Sequence, residues 1–175
     1  MTLDGFCDHT AVNGDEELHQ HFSDLIHNAD DLLYGRITYQ LMENHWPNVV
    51  KNPTGVKQTD EFAVSINNVS KIVFSRTLQQ VDWNNTTLKK EINKDDIIEL
   101  KKKPGKNILA GSRSLIIALL NLGLIDEFQP VIHPVVAGSG LPLFKNVNDR
   151  LMFRLIKTKS LRSGAVAHYY EPVKE

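Results

Sequence analysis

Cysteine is nearly absent: the 175-residue chain has one, Cys7, so no internal disulfide can form and no thiolate cage can hold a metal. That usage suits a reducing compartment, and the expected location is the cytoplasm. Long apolar runs are missing too. No stretch approaches the roughly 20 apolar residues needed to cross a bilayer, and the N-terminus lacks the basic-then-apolar pattern of a secretory leader. Nor is there an excess of either charge. Lys and Arg number 20 against 21 Asp and Glu, a net charge of −1, which gives no electrostatic case for nucleic acid or an anionic membrane. The basic run Lys101–Lys103 with Lys106 has no aromatic platform beside it and reads as a solvated turn. His19 and His21 are two apart, on different helix faces, so no metal site is expected. No Ser-His-Asp order or nucleophile elbow occurs.

What is present suits a single domain over residues 1–175, large enough for a core and a small-molecule cleft. Leu18, Phe22, Leu25, Ile26 and Ala29 recur at helical spacing, predicting an amphipathic helix over 15–30. Leu32–Tyr34 form a short apolar run that stops at Gly35, which predicts a buried strand. A helix over 38–44 should then end at Trp46–Pro47, because proline cannot continue the hydrogen-bond ladder. Residues 48–61 are polar and read as a surface loop. Strands are expected at 71–75, 86–88 and 107–110, with a helix at 95–103 stopped by Pro104–Gly105. An apolar helix over 114–122 should end at Gly123. Residues 127–136 read as a strand, Gly138–Gly140 as a turn, and 152–160 and 166–171 as two closing strands. Alternating strands and helices followed by strands argue for an α/β chain: a mostly parallel sheet, flanking helices and an antiparallel edge.

Three strand ends carry residues that favour anions: Gly35-Arg36-Ile37-Thr38, Ser75-Arg76-Thr77 and Gly111-Ser112-Arg113-Ser114. Glycine admits a close backbone approach, serines cap helices, and free amides at a helix start attract phosphate. Each segment alone is equally an ordinary strand-helix connection. Ligands of open α/β sheets gather at the carboxyl ends of strands, so three such segments together point to one phosphate-bearing ligand. Asp4-Gly5 is either a turn-forming pair or a site element, and His133 either a core histidine or a ligand contact.

The segments Gly35-Arg36-x-Thr38-Tyr39 with Trp46, Val73-Phe74-Ser75-Arg76, Leu109-Ala110-Gly111-Ser112, Leu124-Ile125-Asp126-Glu127 and Pro134-Val135-Val136-Ala137-Gly138-Ser139-Gly140 resemble the dihydrofolate-reductase-like family in order and spacing. The resemblance is closest to the reductase domain of the bifunctional riboflavin-biosynthesis deaminase-reductase and its stand-alone bacterial relatives. It implies a three-layer fold and an NADPH cleft. On that footing Gly35, Arg36 and Thr38 lie at the dinucleotide phosphates. Ser75 and Arg76 lie near the adenosine 2′-phosphate, and Gly111, Ser112, Arg113 and Ser114 form the pyrophosphate turn. Arg76 and Ser75, rather than an acidic ribose-binding residue, favour NADP over NAD. The N-terminal loop of the family borders the nicotinamide, which makes Asp4 the candidate for substrate binding or proton delivery, with Gly5 and His133 on the substrate side. A homodimer is implied as well.

Two departures stand out. Only Met1-Thr2-Leu3 precede Asp4, where the family begins with a complete strand; the stub is either truncated or held by other support. The acidic residue that engages pterin has no clear counterpart, although Asp24 lies in the corresponding helix. The function expected is therefore an NADPH-dependent reductase of a small heterocycle such as 5-amino-6-(5-phosphoribosylamino)uracil. The alternatives are a non-catalytic nucleotide-binding or regulatory module and a pterin or dihydrofolate reductase. A deaminase step would need His-x-Glu and Pro-Cys-x-x-Cys segments, which one cysteine excludes.

Overall fold

The computed structural model describes residues 1–7 and 15–173, and the chain divides into two compact units: Met1–Asp15 with Ile117–Glu175, and Glu16–Ile116. In the second unit, four parallel strands lie in the order β3-β2-β1-β4, with β1 at Ala29–Gly35, β2 at Ser70–Phe74, β3 at Thr86–Lys89 and β4 at Asn107–Ala110. Helix α1 (Glu16–His27) precedes β1, α2 (Arg36–Lys51) and α3 (Lys57–Asn68) connect β1 to β2, and α4 (Lys94–Lys102) connects β3 to β4. The core joins Ile26 of α1, Leu32 and Tyr34 of β1, Tyr39, Trp46 and Val49 of α2, Phe62, Ala63 and Ile66 of α3, Val73 of β2, and Trp83. The predicted strands at 71–75, 86–88 and 107–110 fall within a residue or two of those observed.

Helix α2 overruns its expected end. Pro47 lies inside it, and the helix continues to Lys51. Proline deprives the Glu43 carbonyl of its i+4 donor, yet Tyr39, Trp46 and Val49 share one buried stripe across that point. Burying Trp46 and Val49 is worth about 2 kcal/mol each, enough to offset one lost hydrogen bond. Residues 48–61 are likewise not a loop: only 52–56 are irregular, and α3 follows. The polar segment before it is tied back onto the helix, since the Asp60 carboxylate, in the first turns of α3, accepts hydrogen bonds from Thr54 N, Thr54 Oγ1 and Gly55 N at 2.8, 2.8 and 3.0 Å. Phe62 and Ile66, one helical turn apart, bury the other face.

Lys71, at the start of β2, is fully buried. Its ammonium donates to the carbonyls of Ile66, Asn67 and Val69 at 3.0, 3.1 and 2.8 Å and sits 4.5 Å from the Trp83 ring. It thereby closes the C-terminal end of α3, whose last carbonyls have no helical donor.

In the first unit, an antiparallel sheet has the order β5-β7-β6, with β5 at Val131–Ile132, β6 at Phe153–Ser160 and β7 at Val166–Pro172. The reading of 127–136 as one strand is too long. Pro130 and Pro134 interrupt the donors, leaving β5 flanked by single bridges from Phe128 to Tyr170 and from His133 to Thr2. The N-terminal stub is held by that segment: the Met1 amine donates to Val131 O at 2.6 Å, His133 N to Met1 O at 2.8 Å and Leu3 N to Val135 O at 2.8 Å. Helix α5 (Arg113–Asn121) ends at Gly123, whose φ of 67° is the left-handed conformation a helix stop requires. The expected mixed α/β fold, with parallel strands, antiparallel C-terminal strands and flanking helices, is present, the two sets of strands being hydrogen-bonded as separate sheets. Among the described residues no helix is long and apolar enough to cross a membrane.

Candidate functional site

Because all four strands of the first sheet are parallel, the exits of β1, β2 and β4 lie along one edge. The connection from β1 runs to β2 on one side, whereas β4 is added on the other side, so the topology switches between β1 and β4. Open α/β sheets form their ligand crevice at such a point. Here α2 starts directly after Gly35 and α5 directly after Ser112.

The two starts are tied together. Gly35 N–H donates to Ser112 Oγ at 2.8 Å, and Gly111 N–H donates to Leu33 O at 3.2 Å. Gly35 is the N-cap of α2 with extended backbone and no side-chain cap, so amides of the first turn face outward without a side chain to receive them. In α5 the first i to i−4 bond runs from Ile116 N to Ser112 O, which leaves the preceding turn outside the helical ladder. A Cβ at Gly35 would come within 3.4 Å of Ser114 Oγ and 3.7 Å of Ser112 Cβ. Both are ordinary contact distances, so Gly35 lies against the start of α5 without being forced to be glycine by packing. Two helix starts side by side turn their free amides toward the same region, the kind of arrangement that favours anions.

The expected contacts around these helix starts are distributed unevenly. Gly35, Gly111, Ser112 and Ser114 come together at the junction, with Ser112 buried and Ser114 exposed. Arg36 is exposed and donates to Gln40 Oε1 at 3.1 Å, one turn along α2; Thr38 and Arg113 are half-buried. Ser75 spends its hydroxyl within its own turn, accepting from Thr77 N at 3.2 Å and Leu78 N at 3.0 Å. Arg76 lies exposed at the β2 exit and pairs with Glu91 at 2.8 Å. Tyr39 enters the sequence reading only as part of a motif, yet it anchors the neighbourhood. Its hydroxyl donates to Glu43 and accepts from Asp82 N and Trp83 N, both at 3.2 Å, and burial foremost pushes its phenol up to about 12.

The candidates in the first unit form a separate clasp. Asp4 Oδ1 accepts from Thr2 Oγ1 at 2.6 Å and Ala137 N at 3.1 Å, while Oδ2 accepts from Gly138 N at 2.7 Å. The Thr2 hydroxyl, followed by those backbone amides, holds the carboxyl down at about 2. Asp4, expected to serve in substrate binding or proton delivery, is thus arranged as an ionised hydrogen-bond acceptor. Gly5 closes the turn, with φ 87° and its N–H donating to Thr2 O at 3.1 Å. His133 is buried; burial first, and then the nearby terminal amine, push its imidazole below the ordinary value, so it is neutral at pH 7. The sequence reading missed Thr2 altogether. A threonine two residues before an aspartate, at the start of a tight turn, is the local hydrogen-bonding signal that would have found it.

Comparison with known proteins bears on the family and the fold. A family model described as the RibD C-terminal domain matches residues 1–167. The uncharacterized protein YyaP of Bacillus subtilis strain 168 is 36% identical over 180 residues, covering 97% of this chain and 90% of that protein. Among solved structures, a protein of Shewanella sp. PV-4 named for riboflavin biosynthesis superposes with a TM-score of 0.74 at 21% identity, covering 99% of this chain and 95% of that one. A deaminase and 5-amino-6-(5-phosphoribosylamino)uracil reductase of Thermotoga maritima gives 0.62 at 17%, covering 98% of this chain and 54% of the larger one. The structural likenesses establish the fold, and the family match across nearly the whole sequence goes further: this chain belongs to the RibD C-terminal domain family, whose members are generally oxidoreductases.

Proposed function

We propose that the chain is an NADPH-dependent reductase of a small heterocycle, with 5-amino-6-(5-phosphoribosylamino)uracil or a similar ribosylaminopyrimidine as substrate. The observation that carries this reading is the junction of Gly35 and Ser112 at the switch between β1 and β4, where two helix starts lie side by side. In this reading the first turns of α2 and α5, with Arg36, Thr38, Arg113 and Ser114, hold the diphosphate. Ser75 and Arg76 take the 2′-phosphate, Arg76 exchanging its Glu91 partner for the ligand. A bound reduced nicotinamide would supply the hydride, leaving the protein to align donor and acceptor and to exclude water. Asp4, Gly5 and His133 are assigned to the substrate side on the family resemblance, Asp4 as a hydrogen-bond acceptor. The resemblance also supports a cytoplasmic homodimer.

The test is titration with NADPH and NADH, followed by the loss of NADPH absorbance in the presence of the ribosylaminopyrimidine, with dihydrofolate as control. NADPH binding with turnover of the pyrimidine alone is expected. Tight NADPH binding without turnover of any pyrimidine or pterin would make the chain a nucleotide-binding module, and failure to bind either cofactor would overturn the assignment.

A further inference from the structure

Residue 111 has no conformational need to be glycine. It is not among the residues with positive φ, so any side chain suits its backbone. The demand comes from below. A Cβ there would lie 2.9 Å from Tyr34 Cε1, closer than carbon atoms can approach, and 3.6 Å from Tyr34 Cδ1. Tyr34 cannot step aside, because it is 5% exposed and packed with Leu32, Tyr39, Trp46 and Val73 in the core. Its ring is rigid, unlike the free end of a long side chain.

The turn is also bonded on both sides of this contact. Gly111 N–H reaches Leu33 O, and Ser112 Oγ receives Gly35 N–H. Ser112 is 2% exposed, so its hydroxyl is directed to the exit of β1 and not to solvent. Neither Tyr34 nor Ser112 has to touch a ligand to matter.

We propose that Tyr34 and Ser112 are positioning residues of the nucleotide cradle. Tyr34 sets the height of the turn between β4 and α5 above β1, and Ser112 sets the spacing between the first turns of α2 and α5. This rests on reading the junction as a nucleotide site and deepens that reading. Two helix starts at a fixed spacing select a ligand with two linked phosphates over one that carries a single phosphate, because the spacing is preorganised before binding.

In Ser112→Ala, NADPH affinity should fall about tenfold, the worth of one buried hydrogen bond, while adenosine 2′-monophosphate, which cannot span both helix starts, binds as before. Amide hydrogen exchange at Gly35 should accelerate by a similar factor. Gly111→Ala should weaken NADPH at least tenfold by overpacking, and adding Tyr34→Leu to Gly111→Ala should restore most of that loss by vacating the place of the ring. Equal losses for NADPH and the monophosphate in Ser112→Ala, or no recovery in the double variant, would overturn the proposal. A wild-type chain that binds neither nucleotide would remove the cofactor reading instead. Gly35 exchange in Ser112→Ala and the Tm of the Tyr34 and Gly111 variants would then decide the positioning geometry: unchanged exchange, or additive Tm losses, would refute it.

Discussion

Lys71→Met should change how stability depends on pH. The Lys71 ammonium has no carboxylate beside it, only three carbonyls within 3.1 Å and the face of Trp83. Burial lowers its pKa from 10.5 to about 8 in the folded chain. Between those values the unfolded chain holds a proton that the folded chain has released, so folding becomes more favourable as pH rises. A tenfold difference in proton affinity between the two states is worth about 1.4 kcal/mol. Going from pH 7.5 to pH 10 should therefore add about 2 kcal/mol to the free energy of unfolding from this residue alone. Above pH 10 the trend reverses, because Tyr34 and Tyr39 are pushed up in the folded state and ionise first in the unfolded chain. Denaturant melts of wild type and Lys71→Met at both pH values measure the difference, and subtracting the two curves removes the common titrations. Methionine keeps most of the side-chain volume, so the variant isolates the charge. Parallel curves for the two proteins would refute the reasoning, since they would mean that the ammonium stays protonated through pH 10.

Asp4→Asn should lower Tm at neutral pH and flatten the acid limb of the stability profile. The folded pKa of about 2 lies below the unfolded value, so the contribution is present above pH 3.8 and is lost as pH falls through about 2; thermal melts between pH 7 and pH 2 check it. Tyr39→Phe leaves the Asp82 and Trp83 amides without their acceptor and should cost about 2 kcal/mol in a denaturant melt. Arg76→Ala should weaken NADPH at least tenfold and NADH little, by titration calorimetry; equal losses would detach Arg76 from the 2′-phosphate. Because the pair of Arg76 with Glu91 is exposed on both sides, stability should stay within about 0.5 kcal/mol.

The parts of the fold that were legible in the sequence are those in which a local pattern and a tertiary need coincide. Strand β1 ends at Gly35, α4 ends before Pro104, which has no N–H to continue a helix, and α5 ends before Gly123, which takes the left-handed turn. The reading failed where tertiary burial outweighed a local signal. Pro47 would end an isolated helix, but Trp46 and Val49 keep α2 intact through it. The segment from Thr54 to Asp60 is polar because Asp60, inside α3, holds the preceding turn by its amides, and composition alone cannot separate such a turn-and-helix start from a loop. Lys71 looked like the charged first residue of a strand, whereas its ammonium closes a helix that ends a few residues earlier.

At the candidate site the same division appears within single residues. The sequence places glycine, serine and arginine after three strands, and the fold brings Gly35 and Gly111–Ser114 to one junction. The reason for glycine, however, differs at the two positions. At Gly35 a Cβ would make only ordinary contacts with Ser114 and Ser112, so the chain's own packing leaves room for a side chain there. At Gly111 the excluded volume already belongs to the chain, because Tyr34 occupies it. A glycine beside open space and a glycine that admits a neighbouring ring read identically in sequence. Substituting valine at 111 would abolish binding in either case, so loss of binding in that variant cannot show that the turn touches phosphate. Only the paired change at Tyr34 separates the two causes, since removing the ring relieves a clash with the core but leaves unrelieved a clash with a ligand.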